Sequence, residues 1–140
     1  MKHRRASIRA ALRLALSVAP RFAEFEIIPA WTSSVDARSL PVLGIATPSE
    51  TKDQDTHQAA ERAITIIVVL KRLGGEDIDD VLDDDSDHVE GMVLATLRTL
   101  GIDAQLDRTD VSADGSADRR IGTLTMTFRA FVQTPDPLTP

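Results

Sequence analysis

Residues 121–134 read IGTLTMTFRAFVQT, and their alternation is the strongest constraint on the fold. Leu124, Met126, Phe128, Ala130 and Val132 alternate with Thr123, Thr125, Thr127, Arg129 and Phe131. Successive side chains of a strand point to opposite faces, so this run is a strand with one apolar face. That face requires a covering layer. A second run, residues 62–72 (RAITIIVVLKR), is dense in β-branched residues and is also a strand. Its middle is apolar on both sides, Ile64, Ile66 and Val68 against Ile67 and Val69. That character predicts a central strand covered on both faces.

The covering layer is legible as two helical periods. Ile8, Ala11, Leu12, Ala15, Leu16 and Ala19 recur at three- and four-residue steps until Pro20 ends the pattern. Ile78, Val81, Leu82, Val89, Met92, Val93, Leu97 and Leu100 form the second stripe, and Gly101 stands where a C-capping glycine belongs. Between these elements lie weaker strands. Residues 24–32 form a short strand that Pro29 pushes towards a sheet edge. Residues 40–46 (LPVLGIA) form another, ended by TPSE, and a charged connection follows. Residues 104–111 (AQLDRTDV) form the strand before a turn-rich loop, SADGSADRR. The order α, β, β, β, α, β, β predicts an α+β domain, with two helices packed on a mainly antiparallel sheet of four to five strands. A single domain spans residues 1–134, and residues 135–140 form an exposed proline-rich tail.

With 42% hydrophobic and 27% charged residues the composition is globular. The absence of cysteine removes disulfides, thiolate metal sites and thiol nucleophiles. A net charge of −6, with aromatics limited to Phe22, Phe25, Trp31, Phe128 and Phe131, argues against nucleic acid as a partner. Arg9 and Arg13 interrupt the N-terminal apolar run, so it reads as an amphipathic helix rather than a signal peptide. No run approaches the roughly 20 apolar residues that span a bilayer, so a soluble protein without a membrane partner is expected.

Charge is distributed unevenly. Lys2, Arg4, Arg5, Arg9, Arg13 and Arg21 precede the first acid, Glu24, whereas nine of the fifteen residues from 76 to 90 are acidic. The acidic run tests poorly as a metal site. Asp83, Asp85 and Asp87 occupy the first three ligand positions of a calcium loop, but His88 stands at the glycine position and Leu94 at the twelfth. Asp84 and His88, one turn apart, supply only two ligands. The acids are therefore expected to face water or a neighbouring subunit, with the first turns favoured by the helix dipole. His3 and His57 lie in polar surroundings, and no nucleophile elbow, phosphate loop or zinc-binding helix motif occurs. No enzyme, cofactor or metal site is expected.

Taken in order, the helix MKH…IRAALRLAL, LP opening a short strand, the strand ERAITIIVVLKR, the acidic helix and the threonine-alternating strand GTLTMTFRAFVQ resemble the tail terminator proteins of long-tailed bacteriophages, of the lambda minor tail protein U type. The resemblance spans nearly the whole chain, by order and character rather than by a signature motif. The acidic helix is longer than the family's and the proline-rich tail is additional. The resemblance implies a non-enzymatic subunit of a hexameric ring that caps the tail tube, stops its polymerisation and offers a surface to the head. Its partners would be further copies of itself, the tail tube protein, and a head-completion or connector protein. It would reside in the virion at the tail end near the head–tail junction, after assembly in the host cytoplasm. A head–tail connector or tail-completion protein is the alternative, and a small metal-dependent enzyme the third. A closed ring needs two unlike, complementary patches on each subunit. Arg5, Arg9 and Arg13 on the basic helix, and Asp80, Asp84 and Asp87 on the acidic one, are the candidates. The competing expectation is that the two charged helices neutralise each other within one subunit.

Overall fold

The computed structural model describes residues 3–28, 40–54, 59–116 and 119–135. Helix α1, Arg4–Val18, leads through a 3-10 turn, Pro20–Phe22, to strand β1, Glu26–Ile28. Strands β2, Val42–Gln54, and β3, Ala59–Gly74, precede helix α2, Ile78–Thr99, and strands β4, Asp103–Ser116, and β5, Arg119–Pro135, complete the chain. One sheet holds all five strands in the order β1-β2-β3-β5-β4. Every neighbouring pair is antiparallel except β1 with β2. The expected α+β class, element order and central position of β3 are what the chain adopts.

Both helices lie on one face of this sheet. Ile64, Ile66, Val68 and Leu70 of β3 join Leu124, Met126, Phe128 and Ala130 of β5 beneath Ile8, Leu12 and Leu16 of α1. From α2, Ile78, Leu82, Val89, Val93 and Leu97 enter the same core. The period-two reading of β5 therefore identifies the covered face. Gly122 allows the close approach of α2: a Cβ there would stand 2.7 Å from Ile78 Cγ1 and 2.8 Å from Leu82 Cδ1. At the other end of α2, Gly101 adopts φ +74°, open to glycine at little cost. Gly101 N–H donates to the Arg98 carbonyl and Ile102 N–H to the Leu97 carbonyl, both at 2.9 Å, which satisfies the last carbonyls of the helix.

Three expectations require correction. The second face of β3 is not covered as the first is: Ile67 and Val69 are half-buried among the described residues, and both helices lie opposite. β-Branched residues suit any pleated surface flanked by neighbours, so their density did not require two layers. TPSE does not end β2, which continues to Gln54 across a register shift between Ala46 and Ser49. A bulge takes up one extra residue and re-aims those beyond it, so Glu50 rather than Ser49 joins buried Thr47 on the helix-bearing side. Finally, most of SADGSADRR is strand: β4 reaches Ser116, opposite Arg119 of β5. Pro29, Trp31, the SSVDARS loop, His57 and the tail at 136–140 lie outside the described residues.

Candidate functional site

The functional candidates are charged side chains, and the fold sorts them into two groups. The first surrounds Glu50. α1 crosses the far end of β2, where Arg4 donates from Nε to Oε1 of Glu50 at 2.9 Å and from Nη2 to Oε2 at 2.8 Å. Arg62 of β3 donates from Nη1 to Oε2 at 3.0 Å and from Nε to Thr134 Oγ1 at 2.8 Å. Arg5 Nε stands 3.6 Å from Oε1, beyond hydrogen-bond reach, and it is shielded from water with no hydrogen-bond partner. Lys52 is opposite Arg62 in the register and exposed. The Arg4 hydrogen bonds, aided by the charge of Arg4 and by Arg62, hold the Glu50 carboxyl below its ordinary range against the opposing effect of burial. Partial desolvation and the adjacent Arg4 and Arg5 charges pull His3 below its ordinary value, and its Nδ1 accepts the Arg5 N–H at 3.1 Å as the cap of α1.

The second group lies where α2 begins. Asp79, Asp80, Asp83, Asp84 and Asp87 are exposed. Asp85 is not, which corrects the expectation that every acid of this run faces outward. It is fully buried, and its Oδ1 accepts from Arg21 Nε at 2.8 Å and from Arg72 Nη2 at 2.9 Å. Oδ2 lies 2.9 Å from Arg72 Nε as an ion-pair contact without hydrogen-bond alignment. Arg72 also stacks 4.9 Å over the Phe25 ring. The clamp thus joins α2, the turn after α1, the end of β3 and the entry to β1. The signal for it was present in the sequence: buried positions of α2 run 78, 82, 85, 89, 93, 97, so Asp85 occupies a core-facing step.

Of the six residues singled out from sequence, Arg5 belongs to the Glu50 group and Arg9 donates to Thr47 Oγ1 one turn further along. Arg13 lies beyond, half-buried. Asp80, Asp84 and Asp87 share the exposed acidic turns, and His88 Nδ1 meets the Asp84 backbone carbonyl at 2.9 Å rather than its carboxylate. Sequence reasoning missed Arg4, Glu50 and Arg62, because their meeting depends on the β2 bulge. Among the described residues no group of three or more histidine or acidic side chains is placed to hold a metal ion. None of the described helices is long and apolar enough to cross a membrane. A cleft of about 350 Å³ opens beside Arg21, Phe25, Pro41 and Arg72. Its two guanidinium groups are engaged by Asp85.

The chain matches no protein-family model and no curated protein. Among solved structures it is similar to a chain in the virion of a native gene transfer agent particle, with a TM-score of 0.52 and 10% sequence identity. The likeness covers 95% of this chain and 100% of that one. The two share a fold. At that identity the likeness is one of backbone path alone.

Proposed function

We propose that this chain is a structural virion protein, a tail terminator whose copies form a ring at the end of a tail tube. The observation that carries the reading is the end-to-end match of the fold to a chain of an assembled gene transfer agent virion. The segment order that resembles the tail terminators supports it independently. In this reading the protein works by surface complementarity rather than by chemistry. One surface of the ring halts addition of tube subunits, and another receives the head-completion or connector protein. Neighbouring copies meet through unlike patches, because a closed cyclic assembly with heterologous contacts needs two surfaces per subunit.

The test is reconstitution. Purified tube protein polymerised with and without this chain, then imaged by electron microscopy, is expected to give shorter tubes with a cap at one end. Tubes of unchanged length with bare ends, alongside binding to isolated head connectors, would assign the chain to head–tail connection instead.

A further inference from the structure

Charge is separated along the subunit more sharply than the sequence order requires. Arg62 marks one end of β3 and Arg72, ten residues on, marks the other. At about 3.3 Å per residue the two lie roughly 33 Å apart. Arg4, Arg5 and Glu50 gather at the Arg62 end, while Asp85 fixes the acidic turns of α2 at the Arg72 end. Charges so far apart are screened from each other, since the Debye length is only about 8–10 Å at physiological salt. Mutual neutralisation within one subunit, the competing expectation, is therefore excluded for Arg4, Arg5 and Arg62, whereas Arg21 of the basic segment does pair with Asp85 of the acidic one.

The Glu50 group is also out of balance. Among the described residues three guanidinium groups share one carboxylate, and Arg5 Nε stands beyond hydrogen-bond reach of it. Lys52 adds a fourth positive charge on the same side, whereas Asp53 and Glu61 fall on the opposite face of the sheet by register. An arginine held in place by a carboxylate, with donors left over, is preorganised to accept a second carboxylate.

We infer that the Arg4–Arg5–Lys52–Arg62 patch is a docking site for the acidic turns of α2, Asp80 to Asp87, on a second copy of this chain. Rows of exposed carboxylates at one end of the subunit and surplus guanidinium groups at the other are complementary. Only contact between copies brings them together. Glu50 acts as a positioning residue, holding Arg4 and Arg62 in register for the incoming acids. Phosphate is the weaker candidate for the patch, because the chain carries a net charge of −6 and repels polyanions at long range. The inference rests on the ring reading for its biological setting, but not for its chemistry.

Charge reversal tests it. One variant carries Arg5→Glu and Lys52→Glu, which spares the hydrogen bonds that Arg4 and Arg62 make to Glu50. The other carries Asp84→Lys and Asp87→Lys. Circular dichroism establishes that both fold, and sedimentation velocity reads assembly at low and physiological salt. Each variant alone is expected to need a roughly tenfold or greater concentration to assemble. An equimolar mixture is expected to assemble like wild type, because each variant then presents what the other requires. If both variants assemble as wild type does, or if mixing restores nothing, the docking inference is overturned while the ring reading stands. A wild type that is monomeric at all concentrations, both alone and with tube protein, overturns both. Rescue by mixing, with tube length unaffected, retains the docking contact and removes the terminator role. Loss of duplex DNA binding by the first variant, with assembly unchanged, would reassign the patch to phosphate.

Discussion

Replacing Asp85 by alanine is the sharpest perturbation of this fold. The carboxylate is fully buried and accepts hydrogen bonds from Arg21 and Arg72, which anchor the turn after α1 and the end of β3. Breaking a buried ion pair by removing one partner costs about 3–5 kcal/mol, because the remaining charge is left uncompensated. Here the two guanidinium groups keep 29% and 23% of their side-chain surface exposed, so both partly recover hydration. The lower end, about 3 kcal/mol, is therefore expected. For a chain of this length that corresponds to a fall in Tm of roughly 10 °C. Urea unfolding followed by circular dichroism measures it, with an unchanged slope against denaturant. A second variant locates the cause. Asp85→Leu combined with Arg21→Met and Arg72→Met replaces all three members of the clamp by apolar side chains, and should return to within about 1 kcal/mol of wild type. A loss below about 1 kcal/mol for Asp85→Ala would refute the clamp as a structural element.

Other perturbations give distinct outcomes. Phe128→Ala empties the centre of the helix-covered face, where Phe128 is fully buried, and should cost about 3–5 kcal/mol in the same assay. Gly122→Ala places a methyl group against Ile78 and Leu82 and should cost about 1–3 kcal/mol, although it adds apolar surface to the core. The Glu50 carboxyl titrates below its ordinary range in the native state, so it stabilises the fold above that range. That contribution is lost as the pH falls through the depressed native value. Wild type should therefore exceed Glu50→Gln in stability at neutral pH, and the difference should shrink in acid; a difference independent of pH would contradict the assignment. Micromolar calcium should leave Tm unchanged, whereas a strong rise abolished by chelator would reveal a metal site among the acids of α2.

The periodic elements were legible because burial imposes a period on them. β5 showed its covered face through Leu124, Met126, Phe128 and Ala130, and α1 and α2 showed theirs through steps of three and four. Their joint reading was enough for the α+β order. What remained hidden depends on contacts distant in sequence. Glu50 meets Arg4 across 46 residues, and only because a bulge turns the end of β2 towards α1. The strand itself ran past TPSE, since a proline that looks like a stop sits within the irregular pairing between Ala46 and Ser49. Asp85 was masked by its company: amid exposed acids of identical chemistry, only its phase on α2 separates it from Asp84. The apolar stripe steps by seven from Leu82 to Val89, and the missing step is the aspartate.

Native mass spectrometry of the purified chain, alone and with its tube protein, tests the central claim most directly. A terminator predicts a closed ring of six copies, present alone at high concentration or induced by tube ends. A monomer under both conditions, or an open series of oligomers with no preferred size, would contradict it.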